Sequence, residues 1–541
     1  MNDLFPYLDC LNEAQREAVL HEGSPLLILA GAGSGKTRVI TTKIAYLTDS
    51  GKYDPRSILA VTFTNKAARE MAERAAALVS GGRGIENAGR GASPAMAMVR
   101  TFHSFGAWFL RRNAALAGLS PSFAIYDDDD SLSLLKGLHP NRQEKELRPY
   151  ARAIARAKDS ALSPDDVVFN PNSVRPGNGS GRSGGAGESS AGSGFGGADL
   201  QYAAPFVTGL PGFENMYREY EDKLRAIGNV DFGDLILLPM RILRKNGEIR
   251  ERVRSRFSCI LVDEYQDSNV AQYELLKTLA GPDTYLCVVG DDDQSIYRFR
   301  GAEVRNILDF PKQFQGTKII RLEENYRSTP QILEIANAVV SHNTGRLGKE
   351  LRTSLPEGEK PRLVICDDHE EEVRQCIRIL GDGEYGDTAI LYRTNAQSLP
   401  FETAFTRQRI PYRVVGALRF YEREEVKDVL ALLSLILNPR DEVAFKRIVN
   451  KPTRGIGKTS IDKVIAAAAV QMDLREALRN ACPGFPSKGR EGAARFLSLL
   501  EWSENALSVE PLGEFLHSLI ERSGLAEYHR DQDQAEGGKK M

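Results

Sequence analysis

The sequence has no run of about 18 consecutive apolar residues, the length that a membrane-spanning helix needs. Its first residues, "MNDLFPYLDCLNEAQ", show no basic region followed by an apolar one, so no secretory signal is predicted. The few cysteines are scattered, at Cys10, Cys259, Cys287, Cys366, Cys376 and Cys482. Because no C-x-x-C pair occurs, neither a zinc site nor a disulfide framework is expected. We therefore expect a protein of the reducing cytoplasm with no membrane partner.

A strong net charge is also absent, since 71 basic and 73 acidic residues give a formal charge of −2. A small module that binds nucleic acid by charge alone is usually strongly basic. The balance argues against such a module, but it allows a large enzyme with a local basic groove. The length of 541 residues predicts roughly three or four domains.

Four apolar runs lead directly into polar loops. They are "PLLILAGAGSGKT", "SILAVTFTN", "CILVDEYQD" and "YLCVVGDDDQ". Strands that are apolar throughout are typical of a parallel sheet covered on both faces, and ligands bind at the carboxyl ends of such strands. The alternative is four unrelated core strands with solvated turns. The specific polar residues that follow each run favour the shared sheet and a shared site.

Glycine and serine dominate two segments, residues 80–95 and 177–197. Such segments bury too little surface to order themselves, so we expect flexible surface loops without chemistry of their own. Residues 108–231 otherwise have helical patterns, and so does the sequence from about residue 424 onward.

The segment "AGAGSGKT" differs from the phosphate-binding pattern G-x-x-x-x-G-K-[ST] only at its first position. In that pattern backbone N–H groups surround phosphate oxygens, the lysine reaches the outer phosphates and the hydroxyl holds Mg²⁺. A plain glycine-rich turn is the alternative. The predicted nucleotide-binding residues are Ala30, Gly31, Ala32, Gly33, Ser34, Gly35, Lys36 and Thr37.

Two acids at the end of "CILVDEYQD" complement this loop. Asp263 is placed to hold the metal together with Thr37, and Glu264 is placed to deprotonate an attacking water. Acids at a strand end also occur as helix caps. The phosphate loop and the acid pair together predict hydrolysis of ATP with Mg²⁺.

These motifs belong to a longer ordered series. It runs "LNEAQREAV", "AGAGSGKTR", "VTFTNKAAREM", "RTFHSFG", "VDEYQD", "VVGDDDQSIYRFRGA", "LEENYRSTPQIL", "ILYRTNAQS" and "FYEREEVKDVL". The series resembles that of the superfamily 1 DNA helicases of the UvrD/PcrA/Rep type. The resemblance implies an α/β fold of RecA-like P-loop motor domains, parallel sheets flanked by helices, with helical insertion domains.

The resemblance also implies domain boundaries. A first RecA-like ATPase domain is expected at 1–107 and 232–320, a helical insertion at 108–231, a partial second RecA-like domain at 321–423, and a truncated helical insertion at 424–541. Two further motor motifs of the family, T-x-H-x-x-K-G-L-E and G-x-T-R-A, do not occur in the sequence. We therefore expect a C-terminally truncated chain.

Further nucleotide contacts follow from the resemblance alone. Gln15 is expected to read the adenine edge, and Arg38 and Tyr326 to flank the base. Gln294 is expected to sense the γ-phosphate, and Arg327 to act as an arginine finger, which in phosphoryl transfer is worth roughly 10³–10⁵ in rate.

DNA contacts are implied at several motifs. They are Phe63, Thr64 and Asn65, Thr101 and His103, Tyr297, Phe299 and Arg300, Arg393 and Asn395, and Gly455 and Gly457. The segment "GDDDQSIYRFRGA" combines both kinds of contact, because Gln294 lies three residues before Tyr297. We interpret it as a coupling segment. The alternatives are core aromatics here, a structural role for His103, and a plain tight turn at Gly455 and Gly457.

The resemblance predicts an ATP-dependent 3′–5′ helicase in DNA repair or replication, acting on single-stranded DNA and on junctions with duplex DNA. The alternative is an ATP- and DNA-binding fragment that cannot couple hydrolysis to unwinding. A P-loop kinase would need an acceptor-substrate pocket, and no motif for one is visible.

Overall fold

The computed structural model describes residues 5–79, 97–169, 206–297, 301–381, 385–415, 423–468 and 473–535. The chain divides into two compact units, Met1–Glu359 and Lys360–Met541. The glycine- and serine-rich segments 80–95 and 177–197 lie outside the described residues, so the loops predicted there stay predictions.

The strands all lie in the first unit, as far as the chain is described. They are β1 Leu26–Ala30, β2 Ile58–Thr62, β3 Met98–Thr101, β4 Ile125–Tyr126, β5 Val167–Phe169, β6 Phe206–Thr208, β7 Val230–Asp231, β8 Cys259–Val262, β9 Tyr285–Gly290 and β10 Lys318–Leu322.

The helices of the first unit are α1 Glu13–Leu20, α2 Lys36–Asp49, α3 Asn65–Val79, α4 Phe102–Arg112, α5 Asp128–Leu138, α6 Glu144–Asp159, α7 Phe213–Ile227, α8 Asp234–Lys245, α9 Gly247–Arg256, α10 Val270–Leu279, α11 Arg305–Leu308, α12 Phe310–Gln313 and α13 Pro330–Val340. Those of the second unit are α14 His369–Leu380, α15 Ser398–Gln408, α16 Glu424–Leu437, α17 Glu442–Ile448, α18 Lys458–Ala468, α19 Leu474–Ala481, α20 Ser487–Val509, α21 Leu512–Ser523 and α22 Leu525–Ala535.

One parallel sheet of six strands, in the order β10-β1-β9-β8-β2-β3, organises the first unit. Every residue of β1, β2, β8 and β9 is buried. Side chains alternate between the two faces of a strand. Leu27 and Leu29 accordingly join one hydrophobic cluster, while Leu26 and Ile28 join another. Both faces are covered, which explains why these strands are apolar throughout. The predicted α/β class with a parallel sheet is confirmed.

The edge strand β10 pairs with β1 in parallel, and the first unit continues beyond it to Glu359. Residue 320, where the sequence places the end of the first motor domain, is therefore inside a strand of this sheet. Compact units and family domains need not coincide, so the domain boundaries stay predictions.

A buried ionic cluster joins the helices α6 and α7 to the region that follows them in the chain. The Nζ atom of Lys158 lies 2.6 Å from Asp231 and 2.9 Å from Asp234, and it also contacts Glu221. Arg225 pairs with Asp234 as well. The Lys158 side chain is fully buried, so this cluster links α6 and α7 to β7 and α8.

The regular secondary structure described in the second unit is helical, and the main core of this unit is formed by α16 to α22. A small cluster of Val373, Phe401 and Phe405 joins α14 to α15. The described part of this unit contains no strand, so a RecA-like sheet there stays a prediction. Within the described ranges, no helix combines the length and hydropathy that crossing a membrane requires.

Candidate functional site

The predicted phosphate loop lies between the end of β1 and the start of α2. Gly33 and Gly35 have φ angles of 68° and 85°, in the left-handed region that glycine adopts without strain. Gly35 is the N-cap of α2, which begins at Lys36. The loop therefore presents backbone N–H groups and a helix N-terminus at one point, an arrangement that binds phosphate.

Residues 325–327 lie directly against this loop. The Asn325 side-chain amide donates to the carbonyl of Ala32 at 2.6 Å, and the Tyr326 N–H donates to the carbonyl of Gly33 at 3.0 Å. A Cβ atom on Gly33 would come within 2.6 Å of the Asn325 side chain. The structure thus brings the predicted Tyr326 and the exposed Arg327 to the phosphate loop.

Gln15 is buried next to the same loop. Its Nε2 atom donates to the carbonyl of Ser34 at 2.9 Å, and the residue forms a capping box with Asn12 at the start of α1. Asn12 in turn donates to the hydroxyl of Tyr326 at 2.8 Å. Two residues expected around the adenine therefore meet here, and the third, Arg38, is exposed in the first turn of α2.

The acid pair follows β8. Asp263 is 5% exposed, and its Oδ1 atom has no hydrogen-bond partner among the described residues. Burial, with a smaller contribution from the charge of Glu264, raises the pKa of Asp263 to about 7. The buried hydroxyl of Thr62 also has no hydrogen-bond partner among the described residues. Hard oxygen donors of this kind, with the partly exposed Thr37, fit a magnesium ion.

Glu264 has a φ of 50°, a left-handed conformation that is uncommon outside glycine and occurs preferentially at functional sites. Its Oε2 atom accepts a hydrogen bond from Gln266 at 2.8 Å and lies 3.4 Å from the Nζ atom of Lys36. The carboxylate is therefore held beside the lysine of the phosphate loop.

Gln294 lies in a short helical turn after β9. Its Nε2 atom donates to the Oδ2 atom of Asp291. The amide is thus engaged with its own turn in this structure, and the role of γ-phosphate sensor stays a prediction.

Two aromatic rings predicted to contact DNA lie side by side. The rings of Phe63 and Tyr297 are stacked with centroids 6.5 Å apart and planes inclined by 19°. Phe63 is 36% exposed, and Tyr297 is partly exposed, so neither is a core residue. Phe299 and Arg300 lie outside the described residues.

The neighbouring polar residues have structural partners. Thr64 and Asn65 are exposed at the start of α3, where the Thr64 hydroxyl accepts from the N–H of Ala67 at 3.1 Å. The hydroxyl of Thr101 caps α4 through Ser104. The predicted backbone contacts by these residues therefore stay predictions.

His103 packs its ring edge-to-face on Phe232, with centroids 5.7 Å apart. Burial lowers the pKa of His103 to about 4, so the ring is neutral at pH 7 and offers no positive charge to a phosphate. Phe232 itself is 54% exposed.

In the second unit, Arg393 and Asn395 are exposed, and the Arg393 N–H donates to the Oε1 atom of Gln397 at 3.0 Å. Gly455 and Gly457 lie just before α18. Gly455 has a φ of 74°, and a Cβ atom there would come within 2.9 Å of the Lys488 side chain.

The loop that contains these glycines is held by the partly buried guanidinium of Arg454. Arg454 donates to the carbonyls of Ile448 at 2.9 Å, Lys451 at 2.6 Å and Ser523 at 3.1 Å. Burial lowers the pKa of Arg454 to about 10, and this side chain serves the fold of the loop.

Two family profiles match the chain. The UvrD/REP helicase N-terminal domain matches residues 11–315, and the UvrD-like helicase C-terminal domain matches residues 320–482. The chain belongs to the UvrD/Rep helicase family.

Named relatives agree with this membership. The chain is 40% identical to ATP-dependent DNA helicase UvrD1 of Mycobacterium tuberculosis, over 96% of this chain and 64% of that protein. It is 37% identical to DNA helicase II of Escherichia coli, over 99% of this chain and 70% of that protein. It is 36% identical to ATP-dependent DNA helicase PcrA of Bacillus subtilis, over 99% of this chain and 68% of that protein. The chain spans about two thirds of the length of these relatives.

Two residues without a predicted role contact the candidate residues in the structure. Gln266, 1% exposed, accepts from the N–H of Asp291 at 2.9 Å while it donates to Glu264. Gln266 lies within the motif "DEYQD", and a glutamine in that motif was the feature of the sequence that could have indicated its role. No feature of the sequence indicated a role for Phe232, because a lone phenylalanine usually packs in a core.

Proposed function

We propose that this chain is an ATP-dependent DNA helicase that moves 3′ to 5′ along single-stranded DNA and unwinds duplex DNA at junctions, in repair or replication. The observation that carries the proposal is the shared edge of the sheet. The phosphate loop follows β1, the acid pair follows β8, Phe63 follows β2 and the Tyr297 segment follows β9. Parallel strands bring their carboxyl ends to one edge, so the nucleotide and DNA candidates are neighbours.

For ATP hydrolysis, the loop N–H groups and Lys36 bind the phosphates, and Thr37 and Asp263 are the residues that would hold Mg²⁺. A bound metal would neutralise charge on the phosphates. Glu264 takes the proton from the attacking water, and Gln266 orients that carboxylate by donating to its Oε2 atom at 2.8 Å. Family resemblance adds Gln294 as phosphate sensor and Arg327 as arginine finger.

For the DNA, the Phe63 and Tyr297 rings provide stacking surfaces for bases. Stacking is sequence-tolerant, which suits a motor that moves along any strand. The exposed Phe232, whose ring packs against that of His103, is a further candidate for contact with the same DNA strand.

We also propose a cytoplasmic location for the chain. All six cysteines are unpaired, which supports it.

The test is ATPase activity of the purified chain with and without single-stranded DNA. We expect DNA to stimulate turnover, and Glu264→Gln to lower it by roughly 10²–10⁴-fold, as loss of a general base does, while ATP still binds. Glu357→Gln, which changes an exposed carboxylate in the same unit, is the matched control and should leave turnover unchanged. Nucleotide and DNA binding without turnover would contradict the proposal and support the binding alternative.

A further inference from the structure

Three consecutive carboxylates after β9 share one buried ammonium. The Nζ atom of Lys349 lies 2.7 Å from Asp291, 2.5 Å from Asp292 and 2.7 Å from Asp293. The Lys349 side chain is 3% exposed, and the three carboxylates are 2%, 3% and 8% exposed. Arg346 adds a two-pronged contact to Asp293, with both distances at 2.7 Å.

This arrangement argues against a cation-binding site at the three acids. Three neighbouring carboxylates resemble a site for a divalent cation, but here Lys349 lies on an oxygen atom of each. Burial lowers the pKa of Lys349, but the charge of Asp291 and the hydrogen bonds to the three acids outweigh it, so the pKa is raised. The lysine therefore stays charged and is the partner of the acids.

The acidic turn is bonded to the residues proposed to sense and hydrolyse the nucleotide. The N–H of Asp291 donates to Gln266, the residue that also holds Glu264. The side chain of Gln294 donates to the Oδ2 atom of Asp291. Tyr297, three residues after Gln294, is stacked on Phe63. A displacement of this turn would consequently move Gln294 and Tyr297 together.

The physical requirement for the lysine is direct. Three buried carboxylates repel one another, and a buried charge that loses its partner either takes up a proton or moves toward water. Without Lys349, Arg346 would be the remaining cation that contacts these acids among the described residues. The turn would then lose the geometry that directs Gln294 and Tyr297.

We propose that Lys349 is a positioning residue that holds the Asp291–Asp293 turn, so that nucleotide turnover and the DNA-contacting Tyr297 are coupled. The inference rests on the proposed function. It assigns a role to the segment "GRLGKE", residues 345–350, to which sequence analysis gave none.

The first experiment compares ATPase activity of the full chain with and without single-stranded DNA. Lys349→Met should lower the ratio of stimulated to basal turnover by about tenfold or more, since misplacement of about 1 Å can cost roughly 10²-fold. The KM for ATP should change by less than about threefold, because the phosphate loop is untouched. Lys349→Arg, which keeps the charge, should restore the ratio. An unchanged ratio in Lys349→Met would overturn the inference.

Lys312→Met is the matched control, since Lys312 is an exposed lysine paired with Asp309 in the same unit. We expect it to keep the wild-type ratio. A general loss of folded protein in Lys349→Met would lower basal and stimulated turnover equally and leave the ratio unchanged.

The second experiment needs no turnover. The N–H groups of Asp293 and Gln294 donate to the side chain and carbonyl of Asp291 within the turn. Lys349→Met should accelerate their hydrogen exchange, whereas Lys349→Arg and Lys312→Met should not. Equal exchange in all variants would overturn the positioning role. A wild-type chain that does not turn over ATP would refute the proposed function, and hydrogen exchange would then decide the role of Lys349 by itself.

Discussion

Replacing Lys158 with methionine should strongly destabilise the first unit. The fully buried ammonium of Lys158 contacts Glu221, Asp231 and Asp234, and Arg225 is the other cation in this cluster. The substitution keeps an apolar side chain of similar length but leaves three buried carboxylates with one guanidinium. Breaking a buried ion pair by removing one partner costs about 3–5 kcal/mol. That is a large share of the roughly 5–15 kcal/mol that stabilises a typical domain.

The loss should depend on pH with a defined sign. In the wild-type chain, burial already raises the pKa of Asp231 and of Glu221. A carboxyl group whose pKa is higher in the folded state binds its proton more tightly when folded, so low pH favours folding. The destabilisation by Lys158→Met should therefore be smaller at about pH 5 than at about pH 8.

The assay is urea-induced unfolding followed by tryptophan fluorescence. The chain has two tryptophans, one in each unit, so a Trp502→Phe background makes Trp108 the reporter of the first unit. The matched control is Lys145→Met, which changes an exposed lysine on the same helix and should alter the free energy of unfolding by less than about 0.5 kcal/mol. A loss below about 1 kcal/mol for Lys158→Met would mean that the buried cluster contributes no more than an exposed ion pair does, and the prediction would be wrong.

Two further predictions concern the proposed DNA-binding surface and a buried acid. Tyr297→Ala should weaken binding of a single-stranded oligonucleotide by about 1–3 kcal/mol, the value of one base stack, measured by fluorescence anisotropy at fixed salt. Burial and then the charge of Asp231 raise the pKa of Asp159 to about 7, so ionisation of Asp159 costs stability as pH rises from about 4 to about 7. Asp159→Asn should raise the stability at about pH 8, relative to about pH 5, by on the order of 3 kcal/mol in the same unfolding assay.

For each of these two predictions, a specific result would contradict it. Tyr297→Phe keeps the ring and should bind as the wild type does, so equal affinity of Tyr297→Ala and Tyr297→Phe would exclude stacking by this ring. For the acid, Asn269 donates to Asp159 at 2.8 Å, and an asparagine oxygen at residue 159 can accept the same bond. An unchanged pH dependence in Asp159→Asn would mean that this carboxyl group is not the one that titrates.

Much of the candidate nucleotide site was predictable because its signals are local. A continuous apolar run predicts a strand buried on both faces, and the spacing from Gly31 to Thr37 predicts a phosphate loop at its end. The parallel sheet and the family are confirmed. The individual roles of Gln15, Gln294 and Arg327 came from the resemblance and stay predictions.

Side-chain partners were not predictable, because packing selects them among residues far apart in the chain. Nothing near Asp293 in the sequence indicates Lys349, which is 56 residues away. The exposure of Phe232 on the ring of His103 likewise depends on how two elements meet. The family resemblance implied a DNA contact for Thr101, which stays a prediction, whereas its role as the helix cap of α4 became visible only in the structure.

The class of fold and the chemistry at the ends of four strands could be predicted from the sequence, since hydrophobic period and motif spacing act over a few residues. Which groups meet there depends on how the chain folds. The strand order placed β9 between β1 and β8. It thereby brought the acidic turn, Gln266 and Glu264 into one hydrogen-bonded series. Buried charges require partners wherever the chain can supply them, and the folded chain supplied Lys349 from a distant segment.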